Sequence, residues 1–426
     1  MAAEVGSRVS RFAAGAGLVA VAAMTANALA YVLRVAGSWL LDNDENGALG
    51  ALVALLTVAT VLQVGTQTAA AVRIARGDGD PARLVATGVR LSVVTSTALV
   101  LAAPVLTAVL HLPGIWPALA LAAAVGPLNA AGIHLGLLQG SERFGRLAVL
   151  TAVVALGRSG GGLVGLLLGR TAFATMTGVA VGGGLALVGA YLLSRPVRLG
   201  GAKPGAAAVR LGDVLAACGA MLAMLALVNA DLLLARVVLP GDVTGEYAVG
   251  AILSNAAYWA PQVVAVVALP RLAKGQRRAL LISFVVVGTT GLFAIGACLV
   301  AGGFAVRVAG KGSYAGLADE VWLFAAAGAG WALVNLLLTA RIAAGARWIA
   351  APLWVAAAVE ALAVLAWRPY SLTHTAVVAL GTAVASVLVG LALARQGPRR
   401  RGRHRPAAGA VSSRSAPATA PVGRPE

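Results

Sequence analysis

The sequence predicts an all-α polytopic membrane protein: about 12 transmembrane helices in two parallel six-helix repeats, with the N- and C-termini both cytoplasmic. Three observations lead there. Apolar residues make up 60% of the 426-residue chain and charged residues only 11%, at a mean hydropathy of +0.89, so a water-soluble fold would lack the polar surface to cover itself. Continuous apolar runs of the roughly 20 residues that a bilayer crossing needs recur along the chain. Arginines and lysines gather between alternate runs.

Twelve runs are long enough, at 13–40, 48–72, 84–110, 115–138, 146–169, 172–193, 213–239, 247–269, 279–303, 320–340, 348–367 and 373–394. They do not alternate with period two, which marks helices and not barrel strands. The first is too long for a secretory signal and lacks its small-residue cleavage site, so it is expected to stay in the protein. With the N-terminus cytoplasmic, 25 of the 33 basic residues fall in segments on that side, among them Arg73 and Arg76, Arg143 and Arg146, Arg271 and Lys274, and eight arginines from Arg395 onward. The outer loops LLDNDENG (40–47) and LPGDVTGE (239–246) are acidic or neutral, as the positive-inside rule requires.

This divides the chain into an N-terminal six-helix bundle (1–194), a cytoplasmic linker (195–212), a C-terminal six-helix bundle (213–395) and a basic tail (396–426). The tail is Pro, Ala, Ser and Arg without an apolar period, expected to be disordered along the inner membrane surface. A net charge of +18 therefore reads as topology plus contact with anionic membrane lipids. Arginines dispersed over loops and an aromatic-free tail do not make a nucleic-acid surface. Cys218 and Cys298 fall within different runs and read as small apolar residues.

The halves repeat. At an offset of 198, Asp44, Gly47, Arg73, Arg76 and Gly77 fall on Asp242, Gly245, Arg271, Lys274 and Gly275. At an offset of 202, NALAYVLR (27–34) falls on NADLLLAR (229–236), placing Asn27 on Asn229 and Arg34 on Arg236. Six crossings return the chain to its starting side, so the repeats are parallel and related by an axis along the membrane normal. Two such bundles suggest alternating access of a central cavity. Catalytic constellations are missing: the sequence has no H-E-x-x-H, no phosphate-binding G-x-x-x-x-G-K-[ST], no paired CxxC, and four scattered histidines at 111, 134, 374 and 404. An enzyme is not expected, nor a cofactor or metal. The glycines of GVAVGGG (178–184) read as helix packing rather than a phosphate cradle.

NADLLLARVVLPGDVTGEYAVGAIL (229–253), with Pro270, Leu272 and Ala273 at the exit of the next helix and QGSERF (139–144) after the fourth, resembles the polysaccharide-export branch of the multidrug/oligosaccharidyl-lipid/polysaccharide exporter superfamily. The resemblance spans the twelve-helix region through short motifs, and departs where Leu49 stands in place of a Gly-x-Tyr tyrosine. It implies a bacterial plasma-membrane flippase of lipid-linked oligosaccharide for cell-surface polysaccharide. Its partners would be the lipid-linked glycan, anionic lipids, and a polysaccharide polymerase or glycosyltransferases. The alternative is a multidrug or small-molecule exporter of the same superfamily coupled to H⁺ or Na⁺. A major-facilitator transporter would want an Asp-Arg-x-Gly-Arg-Arg-like loop where RIARGDGDPARL stands; a scaffold without transport would not need the intramembrane charges.

Ionisable groups within the bilayer are costly and so default to function. Asn27 and Arg34 share a helix face two turns apart, as do Asn229 and Arg236. Their arginines either meet a sugar or pyrophosphate oxygen in the outward-facing state or snorkel to the outer headgroups. Arg90 either receives a phosphate from the cytoplasmic leaflet or snorkels inward. Asp231 has no basic neighbour three or four positions away, so its partner is a group on another helix or a coupling cation. Arg158 and Glu360 stand at equivalent positions of the repeats, as an interbundle pair or as separate cavity groups. Pro127 and Pro261 are expected to kink the fourth and eighth helices.

Overall fold

The computed structural model describes residues 2–77, 79–198, 211–261, 277–343, 350–367 and 370–395. Gln262, Pro270, Arg271, Leu272, Ala273 and Lys274, most of the linker, and the basic tail lie outside the described residues. Among the described residues, twelve helical units follow in chain order, each on one of the twelve apolar runs. They are α1 (Ala2–Leu40), α2 (Asn43–Arg76), α3 (Pro81–Val109), α4 (Trp116–Gly140), α5 (Phe144–Gly169) and α6 (Ala172–Arg198). The second half holds α7 (Leu211–Val228 with Ala230–Val238), α8 (Gly241–Trp259), α9 (Arg277–Ala309), a 3-10 segment (Gly312–Asp319), α10 (Val321–Ala343), α11 (Ala351–Ala366) and α12 (Leu372–Arg395). Among the described residues, nine helices are long and apolar enough to cross a membrane, and the bent α7 pair makes a tenth.

The helices begin and stop where local chemistry says they should. Asp42 caps α2 by accepting the Glu45 amide at 2.8 Å, and Asp80 caps α3 ahead of Pro81. Gly77 ends α2 in the left-handed region at φ 74°. Pro127 lies inside an unbroken α4, whereas α8 ends at Trp259, two residues before Pro261.

The same positions are used in both halves. The fourth helix of each, α4 and α10, is its most enclosed, with α4 packed on α2, α3 and α6, and α10 on α8, α9 and α12. The second helices of the two halves, α2 and α8, pack directly on each other. Small residues let the backbones touch: a Cβ on Gly132 or Gly136 of α4 would stand 2.4 Å from the Gln63 or Gln67 carbonyl of α2. Leu49, Leu52, Leu121, Val125 and Leu128 fill the first core. The second is built on Tyr247, Phe324 and, in a neighbouring cluster, Trp331. Large apolar side chains also cover the outside, with Val300 at 91% exposure, Leu168 at 84% and Phe293 at 77%, which only a hydrocarbon solvent tolerates. The chain is a multi-pass membrane protein.

Candidate functional site

A cavity of about 350 Å³ lies between the halves, walled by α1, α2, α5, α7 and α8. Asn27 and Arg34, two turns apart on α1, both reach it. In α2 the helix is interrupted at Thr60 (φ −84°, ψ 3°), and Thr57, Thr60 and Gln63 on either side of the break face the cavity. Asn129 Nδ2 donates to the Ala59 carbonyl at 3.2 Å, partnering a carbonyl beside the interruption.

Arg158 enters from a π-helical turn, Leu156–Gly160, in the middle of α5. Glycine explains that turn's position. Gly157, Gly161 and Gly165 interlock with Ala174, Gly178 and Gly182 of α6 so closely that a Cβ on Gly182 would stand 1.9 Å from the Gly157 carbonyl. The seam fixes one side of α5, and the extra residue of the π turn is taken up on the cavity side. There Arg158 Nη2 donates to Thr57 Oγ1 at 3.3 Å. Asn229 stands at the 43° bend between the segments of α7 and donates to the Leu225 carbonyl at 2.8 Å. Asn255 of α8 completes the amide wall.

The described lining holds two arginines and no acid. Arg34 Nη2 is buried without a hydrogen-bond partner. Behind it, outside the lining, lie two carboxyl groups. Asp231 accepts from the Tyr247 hydroxyl at 3.1 Å and from the Leu232 amide at 2.8 Å, with Arg34 in electrostatic range. Glu360 of α11 is wholly buried, neither of its oxygens has a partner, and Asp231 is the charge nearest to act on it. Asp231 thus finds its partner on another helix, Tyr247 of α8.

At one end of the bundle, polar contacts tie the halves together. Arg236, 1% exposed, donates through Nη1 to Asp44 Oδ1 at 2.7 Å, through Nε to the Leu110 carbonyl at 2.8 Å, and through Nη2 to the His111 carbonyl at 2.7 Å. His111 turns back at φ 45° as α3 ends, which leaves those carbonyls free of helical partners. Asn46 Nδ2 donates to the Gly245 carbonyl at 3.1 Å, Lys311 Nζ to Leu41 O, and Ser38 Oγ to Ala309 O. Burial pushes the Tyr314 hydroxyl beside Asn46 up to about 12, so it stays neutral, its oxygen facing the Asn46 Nδ2 donor at 3.5 Å. A Cβ on Gly245 would meet the Asn43 carbonyl at 2.2 Å, so α2 and α8 are in backbone contact at this seal. The cavity lies beyond the seal, toward the basic-loop end of α2 and the Trp259 end of α8.

Of the expected site residues, the structure brings Asn27, Arg34, Arg158 and Asn229 to one cavity and places Asp231 and Glu360 behind it. The other two lie elsewhere. Arg236 neither faces the cavity nor reaches the outer headgroups, because three backbone and carboxylate acceptors enclose it. Arg90 is exposed on α3, away from the lining. Arg158 and Glu360 form no ion pair; each has a different neighbour. Sequence reading missed Thr57, Thr60 and the Asp44 latch. Glycines at 157, 161 and 165 facing those at 178 and 182 were the available signal for the α5–α6 seam that sets Arg158.

No protein-family model matches the chain, and no curated protein matches it by sequence. Solved structures do match. A multidrug resistance MATE family transporter of the MOP superfamily, in an inward-facing conformation, superposes with a TM-score of 0.63 at 13% identity, over 87% of this chain and 94% of that one. The lipid II flippase MurJ, in an inward closed conformation, gives 0.62 at 11% identity over 89% and 88%. The eukaryotic MATE transporter AtDTX14 gives 0.61 at 12% identity over 91% and 96%. Over nearly its whole described length, then, this chain has the fold of the MOP-superfamily transporters.

Proposed function

We propose that the protein is a flippase that carries a lipid-linked oligosaccharide across a bacterial plasma membrane by alternating access. One observation carries the reading: the cavity presents Arg34 and Arg158 among amides and hydroxyls, with no acid in its described wall. Such a wall attracts a pyrophosphate and gives sugar hydroxyls partners in Asn27, Gln63, Asn229 and Asn255. A lipophilic cation would be repelled, which disfavours multidrug export. The likeness to MurJ, a lipid II flippase, is in keeping with a lipid-linked substrate.

By the distribution of basic loops, the sealed end is outer and the cavity opens inward. The halves 1–194 and 213–395 would rock about the α2–α8 crossing, and outward opening requires Arg236 to leave Asp44 and the α3 carbonyls. Asp231 and Glu360 are the coupling groups. A carboxyl buried with neither oxygen bonded is tolerated only when a proton or a cation such as Na⁺ neutralises it. Neutralising the pair frees Arg34 from Asp231 and makes it available to the phosphate.

The test is mass spectrometry of polyprenyl-linked glycans extracted from cells with and without the protein, alongside the surface polysaccharide. One lipid-linked species should accumulate and its polymer disappear on deletion. Unchanged levels of both, in a strain with no second flippase, would remove the lipid-linked cargo and leave small-molecule export to be assayed.

A further inference from the structure

A second cavity, of about 640 Å³, lies on the lipid-facing side of the second half between α10, α11 and α12. Its wall is almost wholly aliphatic, from Val334 and Leu337 of α10 through Val355 and Val359 of α11 to Val389 of α12. Among the described residues its one charged group is Arg341, in the last turn of α10, at the end where α11 begins and α12 finishes. Deeper in the wall, Ser386 Oγ is buried without a hydrogen-bond partner.

From Thr382 to Leu393 the groove follows α12 for roughly 16 Å at 1.5 Å per residue, about half the ~30 Å hydrocarbon thickness of a bilayer. Its reach is therefore that of one leaflet, with the cation at headgroup level. The groove is not a branch of the transport cavity. Leu338 and Leu353 of its wall belong to the same packed cluster as Tyr258 and Val228 of the central cavity, so side chains rather than open space lie between them. The tail that follows α12 is arginine- and proline-rich and has no apolar run to lay there.

We propose that this groove binds one anionic phospholipid of the surrounding leaflet, its phosphate on Arg341 and one acyl chain along Leu337, Val355 and Val389. An ester oxygen of that lipid would give the Ser386 hydroxyl its missing partner. The site has a consequence for the buried acid. Val359 lines the groove, and Glu360, the next residue, is buried on the other side of the same helix. The lipid therefore buttresses the helix that carries Glu360.

The test uses the full chain in nanodiscs of phosphatidylcholine with a minor fraction of phosphatidylglycerol, counting lipids retained on the protein by native mass spectrometry after gentle detergent transfer. The wild type should retain one phosphatidylglycerol in preference to phosphatidylcholine. Arg341→Gln should weaken that preference about five- to tenfold, the effect of one arginine on an anionic headgroup. Ala385→Trp, which fills the groove from α12, should abolish retention. Equal retention of the two lipids, an Arg341→Gln protein that keeps the preference, or a dimer seated in the groove would each overturn the proposal. Because the readout is lipid retention and not transport, it stands or falls apart from the flippase reading.

Discussion

The two halves start from matching sequence and spend it differently. Arg34 of the first half and Arg236 of the second are repeat equivalents, yet Arg34 faces the cavity with a free Nη2 while Arg236 is consumed by Asp44, Leu110 and His111. Arg158 and Glu360 diverge in the same way: one lines the cavity, the other is sealed against Asp231. Even the helices that carry them differ, since α1 runs unbroken through Asn27 and α7 bends by 43° at Asn229. A repeat fixes where a residue sits in the bundle, and the neighbouring half decides what it touches. In this molecule the first half supplies the cations of the cavity and the second supplies the latch and the buried acids.

The sharpest way to break that contrast is Arg236→Met. It keeps the aliphatic bulk but leaves the half-exposed Asp44 and the Leu110 and His111 carbonyls without their donor, so stability should fall by about 1–3 kcal/mol, the cost of leaving acceptors unsatisfied. The surviving folded population should shift toward outer-open, read by labelling of a cysteine placed at the buried Thr244. A protein of unchanged thermal stability and unchanged labelling would mean the latch is incidental. The equivalent Arg34→Met should do the reverse, holding or raising stability because an unpartnered buried donor is removed.

Next in size are the cavity arginines in transport. Arg34→Gln and Arg158→Gln each remove a charge-assisted contact worth about 1.5–3 kcal/mol, so each should slow transport roughly ten- to hundredfold in a vesicle flipping assay. Melting temperatures should move little, which separates loss of cargo binding from unfolding. If either variant flips cargo at the wild-type rate, that arginine is not a phosphate ligand.

Most of the architecture was legible because hydropathy is a local property. Among the described residues, each of the twelve apolar runs carries a helix, within a few residues at most of the described boundaries. What could not be read was set by residues far away in sequence. Arg236 and Asp44 are 192 positions apart, and nothing near either one announces the other. The π turn that presents Arg158 is one extra residue among glycines, invisible to any periodicity. Asp231 was legible as an acid lacking a basic partner on its own helix, and it took the fold to show that Tyr247 supplies the bond. The amide positions Asn27 and Asn229 were legible through the repeat, whereas Thr57 and Thr60 look like ordinary helix hydroxyls until α2 breaks between them and Gln63.

Smaller in stability are the acids, to which the proposed function assigns coupling. Asp231→Asn weakens the Tyr247 bond and should cost about 1 kcal/mol, whereas Glu360→Gln disturbs no hydrogen bond of the carboxyl group and should cost less. Both should leave cargo-dependent exchange intact while removing the dependence of net transport on a proton or Na⁺ gradient, measured in proteoliposomes with either gradient imposed. Gradient-driven transport that survives the double variant would assign coupling to the cargo's own gradient.

The smallest effect is expected at Arg90, and for that reason it tests where the phosphate enters. Arg90 is exposed on α3, and α3 contributes no residue to the cavity. The first half therefore contains three intramembrane arginines of the same chemistry, two inside and one outside. If position relative to the cavity governs their roles, Arg90→Gln should change stability by less than about 0.5 kcal/mol, as surface substitutions do, and transport by less than a factor of two. A tenfold loss of transport with unchanged stability would instead place the first phosphate contact on the lipid-facing side of α3. The cargo would then reach the cavity sideways through the bilayer, and the first half's outer surface would belong to the transport path as much as its inner wall.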